Sequence, residues 1–359
     1  MHRLKKDVGK RVLAVLFLIP LCTVLNLTLA QPPNTTGIPE LTNSEEAKPI
    51  LIRAIDSLYN LNAEASRTEL KPLMESYPEH PFWPLWDALE VWWNILPDLQ
   101  VKVHDDSLYA KLDEAIAASN NVLKKVPRHR DALMVKAIGY GFYARQFTNR
   151  GRWVKGVMKA RKAYKPFKIL KEDYPEAPSI VMGRGLYLFY ADYVPDEHPW
   201  TRSVMWVLPD GDRQKGIDML YHAAEHGVFT RPEATYLLAI ILLLYEDQAH
   251  DALPLMASLN KDYPHNAYYA RILVRSYMRS GRLDKGLSEI ERLIDFWGPR
   301  DLPFKGVVME ELQTWKGWVA YKNKNFASAA AVLRKVKEYQ HLPEGKNRRH
   351  QHMASYYLG

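Results

Sequence analysis

Cysteine is almost absent from this chain of 359 residues. The single one, Cys22, sits in an N-terminal apolar run. Nothing beyond it can form a disulfide, a thiolate metal site or a cysteine nucleophile. Glycine is sparse too, and no Gly-rich phosphate loop occurs. Gly183-Arg184-Gly185 follows no strand pattern, so it reads as small positions within a helix. No serine nucleophile elbow and no pair of catalytic carboxylates stands out. The excess of positive charge is small. There are 49 basic and 41 acidic residues, but Arg3, Lys5, Lys6, Lys10 and Arg11 precede residue 12 with only Asp7 against them. Without these, 44 basic and 40 acidic residues leave a net charge of +4. That is too mild to argue for nucleic acid. Apolar residues make up 47% of the chain, enough for a packed core.

Residues 1–11 are basic, residues 12–25 apolar, and Thr28-Leu29-Ala30 carries the small residues of a cleavage site. This three-part form is that of a secretory signal peptide over 1–30. The competing reading is an uncleaved anchor over 12–30, long enough to come close to spanning a bilayer, although Pro20 and Asn26 interrupt it. Either way the positive end stays in the cytoplasm and the remainder outside it. Leu21 before Cys22 argues against a lipid-modified cysteine. Residues 31–44, rich in Pro, Asn and Thr, read as a flexible spacer.

The strongest pattern is a repeat. The segments 232–264 and 266–298 superimpose with a period near 34: Ala252 falls on Gly286, Met256 on Ile290, Leu259 on Leu293, and Pro264 on Gly298. Each reads as a helix, a turn at a residue such as Gly281, a second helix, and a Pro or Gly stop. Tyr277 is the aromatic of a first helix. These segments resemble the tetratricopeptide repeat (TPR) superfamily in divergent form, since Ile240 and Val274 stand where the family places Gly. The resemblance implies an all-α fold, a right-handed superhelical solenoid of stacked antiparallel helix hairpins. One amphipathic hairpin cannot bury its own apolar face, so neighbours must stack.

Recurring endings (Leu73…Pro78, Val122…Pro127, Leu170…Pro175, Leu259…Pro264) extend the array over 45–343 as about seven hairpins. The fourth is interrupted, after a first helix of about Ser179 to Tyr193, by an insertion loop over 194–212. The seventh is expected over Glu310 to Leu342, with Gly317, Phe326, Ala329, Leu333 and Val336 on the pattern. Residues 344–359 are a basic tail or a partial capping helix.

Candidate sites are few. Arg271, Arg275 and Arg279 recur every four residues, opposite Ala270, Leu273, Val274 and Tyr277, so they are expected to project away from the core. In the family that side lines a concave groove. Tyr268, Trp318 and Lys322 share it, and such a stripe suits an acidic protein or peptide. The plain alternative is a solvated charged face. Trp200 and Trp206, in the insertion loop, are further partner-binding candidates. His222, Glu225 and His226 match H-x-x-E-H, which in a zinc hydrolase supplies two ligands and a base. Against this, Ala223 falls on a buried position and Gly227 ends the helix at once. In the Trp83, Trp86, Trp92 and Trp93 cluster the helical spacing of Trp86 and Trp93 reads as core. The apolar helix of Thr235 to Tyr245 reads as core too, the alternative being that Leu237, Ile241 and Leu244 line an apolar groove for a partner.

The expectation for function is an exported, periplasmic or envelope-associated scaffold that binds a protein or peptide, without catalysis, cofactor or nucleic acid. A zinc hydrolase and a membrane-anchored envelope assembly factor are the alternatives.

Overall fold

The computed structural model describes residues 37–197, 199–202 and 210–358. The signal or anchor segment, the beginning of the spacer, His198 and Trp206 lie outside the described residues. Among these residues there are fifteen α-helices and no strand. The fold is all-α, an array in which consecutive helices pack as hairpins.

The chain divides into two compact units. The first comprises the described residues up to Leu58, Asn62–Val91 and Asp105–Leu238. Its helices are α1 (Ala47–Tyr59), α2 (Ala63–Ser76), α3 (Phe82–Ile95), α4 (Asp105–Lys125), α5 (Arg130–Asn149), α6 (Trp153–Asp173), α7 (Pro178–Glu197), α8 (Arg213–His226) and the start of α9 (Arg231–Leu244). The second comprises Tyr59–Leu61, Trp92–His104 and the chain from Ala239 onward. It holds the remainder of α3 and α9, then α10 (Ala249–Asp262), α11 (Ala267–Arg279), α12 (Leu283–Trp297), α13 (Lys305–Lys322), α14 (Phe326–Val336) and α15 (Arg349–Leu358).

The repeat is built at its turns. Tyr77, Val126, Tyr174 and Tyr263 each donate their backbone N–H to the carbonyl four residues back, which closes the second helix of a hairpin. A proline follows each, and four residues later in every case the chain is helical again. Between them runs one common hydrogen bond, from the N–H of His80, His129, Ala177 and Asn266 to the carbonyl three residues earlier. Proline presets such a turn. In three of the four the side chain of the residue that ends it caps the next helix. His129 Nδ1 accepts from the Ala132 N–H, His80 Nδ1 from that of Phe82, and Asn266 Oδ1 from those of Tyr268 and Tyr269. Capping side chains of this kind satisfy donors that the first helical turn leaves without partners.

The register read from sequence is the observed one. Leu112, Ala115, Val122, Ala163, Phe167, Leu170, Ala252, Met256, Leu259, Ile290 and Leu293 are all buried. Gly281 takes φ +71° at its turn, and a Cβ on Gly286 would lie 2.3 Å from the Met278 methyl and 2.9 Å from Tyr277 Cβ. Trp83, Trp86, Trp92 and Trp93 are core, and Trp86 Nε1 donates to Ser66 Oγ at 3.0 Å. In α9, Leu237 to Leu243 are buried without a break. No described helix is long and apolar enough to cross a membrane.

Three boundaries differ from expectation. Helix α7 continues through Pro195 to Glu197, so the interruption begins four residues later. Helix α13 begins at Lys305, ahead of Glu310. Residues 38–43, assigned to the spacer, are bound to the first unit rather than free. Leu41 and Thr42 are buried, and the Thr42 hydroxyl and N–H both donate to Asp131. His80 and His129 each place Nε2 on a carbonyl of the segment, Pro39 at 3.2 Å and Ile38 at 3.2 Å. Asp131 is fully buried. Burial alone would raise its pKa, but the His80 and Thr42 hydrogen bonds and the nearby His129 bring it below the usual carboxylate value.

Candidate partner-binding surfaces

The arginine stripe does not face solvent as the periodicity implies. On α11, Arg271 is buried and Arg275 half-buried, and both turn toward α13. There Glu311 Oε2 accepts from Arg271 Nε at 2.5 Å, while its two oxygens take Arg275 Nε at 2.5 Å and Nη2 at 2.7 Å. Trp315 Nε1 donates to the same carboxylate at 3.1 Å, and His350 Nε2 lies 3.3 Å away. The other Arg271 branch, Nη1, donates to the Pro97 carbonyl. Beside this lies a second knot: Arg348 binds Glu310 at 2.7 Å and Asp98 at 2.6 Å, and Gln351 donates to Glu310 at 3.0 Å.

Three guanidinium groups thus meet three carboxylates. Burial, with help from Arg271 and Arg275, holds the His350 imidazole below its ordinary pKa. Burial would raise the Glu311 carboxyl, but Arg275, Arg271 and His350 carry it well below the usual value. The cluster is therefore charge-balanced with His350 neutral. Buried charges persist when they are paired and hydrogen-bonded. The chemistry available here is structural: it fastens α11, α13, the 3-10 turn Leu96–Asp98 and the beginning of α15 together. Arg271 and Arg275 have no charge to spare for an acidic partner. Arg279 is exposed and pairs with Asp247 at 2.8 Å. Tyr268 is half-buried at the first turn of α11.

The other two predicted residues of the stripe lead elsewhere. Trp318 is half-buried, edge-on to Trp315 with centroids 5.6 Å apart, and Lys322 Nζ lies 5.5 Å from its ring. Next to Lys322 begins an exposed aromatic patch of the second unit. Tyr321 packs on Phe326 at 5.5 Å and on Tyr357 at 4.9 Å, and Tyr356 on Tyr357 at 5.0 Å. Phe326 is 59% exposed and Tyr356 78%. Three helices build this patch. Lys322 ends α13, Phe326 begins α14 after its Asn325 cap, and Tyr356 and Tyr357 close α15. Large aromatic side chains gathered on the surface are the usual anchors of a protein interface.

The remaining candidates are dispersed. Trp200 lies in the 3-10 turn Pro199–Thr201, and nothing is described of its side chain. Trp206 lies outside the described residues. His222 and His226 are exposed on α8 with rings stacked 4.3 Å apart, Ala223 beneath them is buried, and Gly227 ends the helix. Among the described residues no group of three or more His, Cys, Asp or Glu could hold a metal ion.

Sequence reasoning missed Glu310, Glu311, Arg348 and His350. One signal was available: Glu310 and Glu311 fall between Val308 and Leu312 on the buried face of α13, where an unpaired carboxylate would not be kept. It also missed the aromatic patch, whose members are separated in sequence, and it placed Phe326 on the packing pattern, whereas Phe326 stands at the first position of α14 and is 59% exposed.

No family model and no curated protein matches the chain. In structure it is similar to a solved tetratricopeptide repeat protein from Parabacteroides merdae ATCC 43184, at 15% identity over 86% of this chain and 98% of that one, with a TM-score of 0.35.

Proposed function

We propose that this protein is a non-catalytic helical-repeat scaffold, exported across a membrane by residues 1–30, that binds a protein partner at the aromatic patch of its second unit. One observation carries the reading: Phe326 and Tyr356 are held open to solvent beside Tyr321 and Tyr357, on three helices whose opposite faces are core. Lys322 and Lys324 flank the patch and form no ion pair among the described residues. The partner is accordingly a polypeptide with an apolar anchor and acidic neighbours. Residues 1–30 act as a cleaved signal or as an anchor, and an N-terminus at Gln31 in the recovered protein identifies the first.

The test is site-specific photocrosslinking in the producing cells. A photoreactive residue at Phe326 is compared with one at Val103, which is 75% exposed and lies off the patch. One defined adduct at 326 and none at 103, abolished by Tyr356→Ala, supports the patch. Equal adducts at both positions, or none at 326, exclude it.

A further inference from the structure

Helix α6 of the first unit carries seven basic residues, Lys155, Lys159, Arg161, Lys162, Lys165, Lys168 and Lys171, against Glu172 and Asp173 at its end. Those two carboxylates face Arg128. Among the described residues no carboxylate pairs with Lys155, Arg161, Lys162, Lys165 or Lys168. The cations crowd one another instead. Burial and the neighbouring Lys165 hold Lys136 of α5 below the usual lysine range. Lys159 Nζ sits 3.4 Å from the centre of the Tyr143 ring.

The outer face has a definite pattern. Val154, Met158, Arg161, Lys165 and Lys168 follow at steps of four, three, four and three, which places them in one line about 21 Å long on the helix. All five are exposed, Val154 at 56% and Met158 at 59%. Lys155 and Lys162 beside them are exposed as well, which widens the cationic face. Two bare apolar side chains followed by three unpaired cations match the boundary between acyl chains and headgroup phosphates.

If residues 12–30 are retained as an anchor, the start of the chain would keep this helix near a membrane. Arg130 binds the segment after Ile38 through Glu40 and Asn43, and its guanidinium lies 3.9 Å over the ring of Tyr174, the residue that follows α6. In the form that retains residues 12–30, the chain from Ala30 to Ile38 reaches at most about 25–30 Å at full extension, less than the length of α6 itself.

We propose that the Val154–Lys168 line of α6 is a docking surface for an anionic phospholipid bilayer. The test uses the full chain with Cys22→Ser and a single new cysteine, Val154→Cys or Val103→Cys, carrying an environment-sensitive dye. Vesicles of phosphatidylcholine with phosphatidylglycerol are compared with phosphatidylcholine alone. A blue shift at 154, absent at 103 and absent with neutral vesicles, is expected. Arg161→Glu, Lys165→Glu and Lys168→Glu together should weaken it by on the order of a hundredfold, at about fivefold for each cation lost. Added salt should weaken it as well. Equal shifts at 154 and 103, or with neutral vesicles, would mean that the N-terminal apolar segment alone carries the protein to lipid and would overturn the proposal. So would a shift produced by polyglutamate and by no vesicle, which would make α6 a surface for acidic protein. Neither result bears on the aromatic patch, which lies in the other unit.

Discussion

Replacing Glu311 by Gln tests whether the buried charge cluster holds the second unit together. The change keeps the side-chain volume and removes the charge. Arg271, whose side chain is 11% exposed, and Arg275, at 27%, would then share an amide in place of a carboxylate, and the amide NH2 would point donors at guanidinium donors. Breaking a buried pair costs about 3–5 kcal/mol, because the surviving charge is left without compensation. Arg275 can recruit some water and Arg271 keeps the Pro97 carbonyl, so the expected loss is about 3 kcal/mol, at the low end of that range. A whole-chain melt is not a single equilibrium for a protein of two units. Amide hydrogen exchange is the better assay, and peptides of α11 and α13 should exchange about a hundredfold faster while those of α5 are unchanged. Arg275→Met supplies an internal ordering. It leaves Glu311 with Arg271, Trp315 and His350, so it should cost less than Glu311→Gln. If protection in α11 and α13 falls by less than about fivefold, or if Arg275→Met proves the worse variant, the cluster behaves like a solvated surface pair and the argument fails.

Acid should loosen the second unit in two stages. His350 titrates below its ordinary 6.5 when folded, so the unfolded state takes up a proton first and stability falls as pH drops below 6.5. Glu311 adds a second loss as pH falls below 4.5 toward its depressed folded value; His350→Gln, followed by exchange of α15 peptides against pH, should remove the first stage only. Asp131→Ala deprives Thr42 of its acceptor and should cost about 2–4 kcal/mol, with proteolysis between residues 38 and 44 accelerated before the helices are cut. Gly216→Ala puts a Cβ 2.7 Å from both the Gly185 carbonyl oxygen and the Phe189 nitrogen, so α7 and α8 must separate. A loss of about 1–3 kcal/mol is expected in the exchange protection of α7 and α8 peptides, and unchanged protection would mean that the crossing is looser than it stands here. Phe326→Ala and Tyr356→Ala should each leave stability within about 0.5 kcal/mol, since neither side chain is core, and Tyr356→Ala should abolish the adduct formed from position 326.

The hairpins were legible because the features that specify them are local. A proline five residues after a core leucine or valine stops one helix, and the residue two places on begins the next. Both events are written within about eight positions, at Leu73–His80 as at Leu259–Asn266. Helix ends governed by more distant partners were not legible. The composition of residues 31–44 suits a spacer, and nothing within them shows that Asp131, 89 positions from Thr42, buries a carboxylate that needs two donors. The extension of α7 to Glu197 was missed because Pro195 reads as a stop, although in a last turn its missing N–H forfeits a single bond.

The arginine stripe shows where periodicity stops being informative about function. Steps of four place Arg271, Arg275 and Arg279 on one side of α11, and they are on one side. Whether that side meets water or another helix depends on α13, and it is Glu311 that decides it for the first two. Only Arg279, at the end of the helix and past the reach of Glu311, faces outward as expected. The basic line on α6 is the converse case. Its residues lie within fifteen positions of one another and no carboxylate interrupts them, yet a whole-chain balance of 49 to 41 averages them away. A charge acts over about a Debye length, roughly 10 Å, so the balance that matters is counted along one exposed helix face. Counted there, α6 has three unpaired cations in line and no anion, whereas the cluster on α11 and α13 has three of each and nothing left to offer a partner.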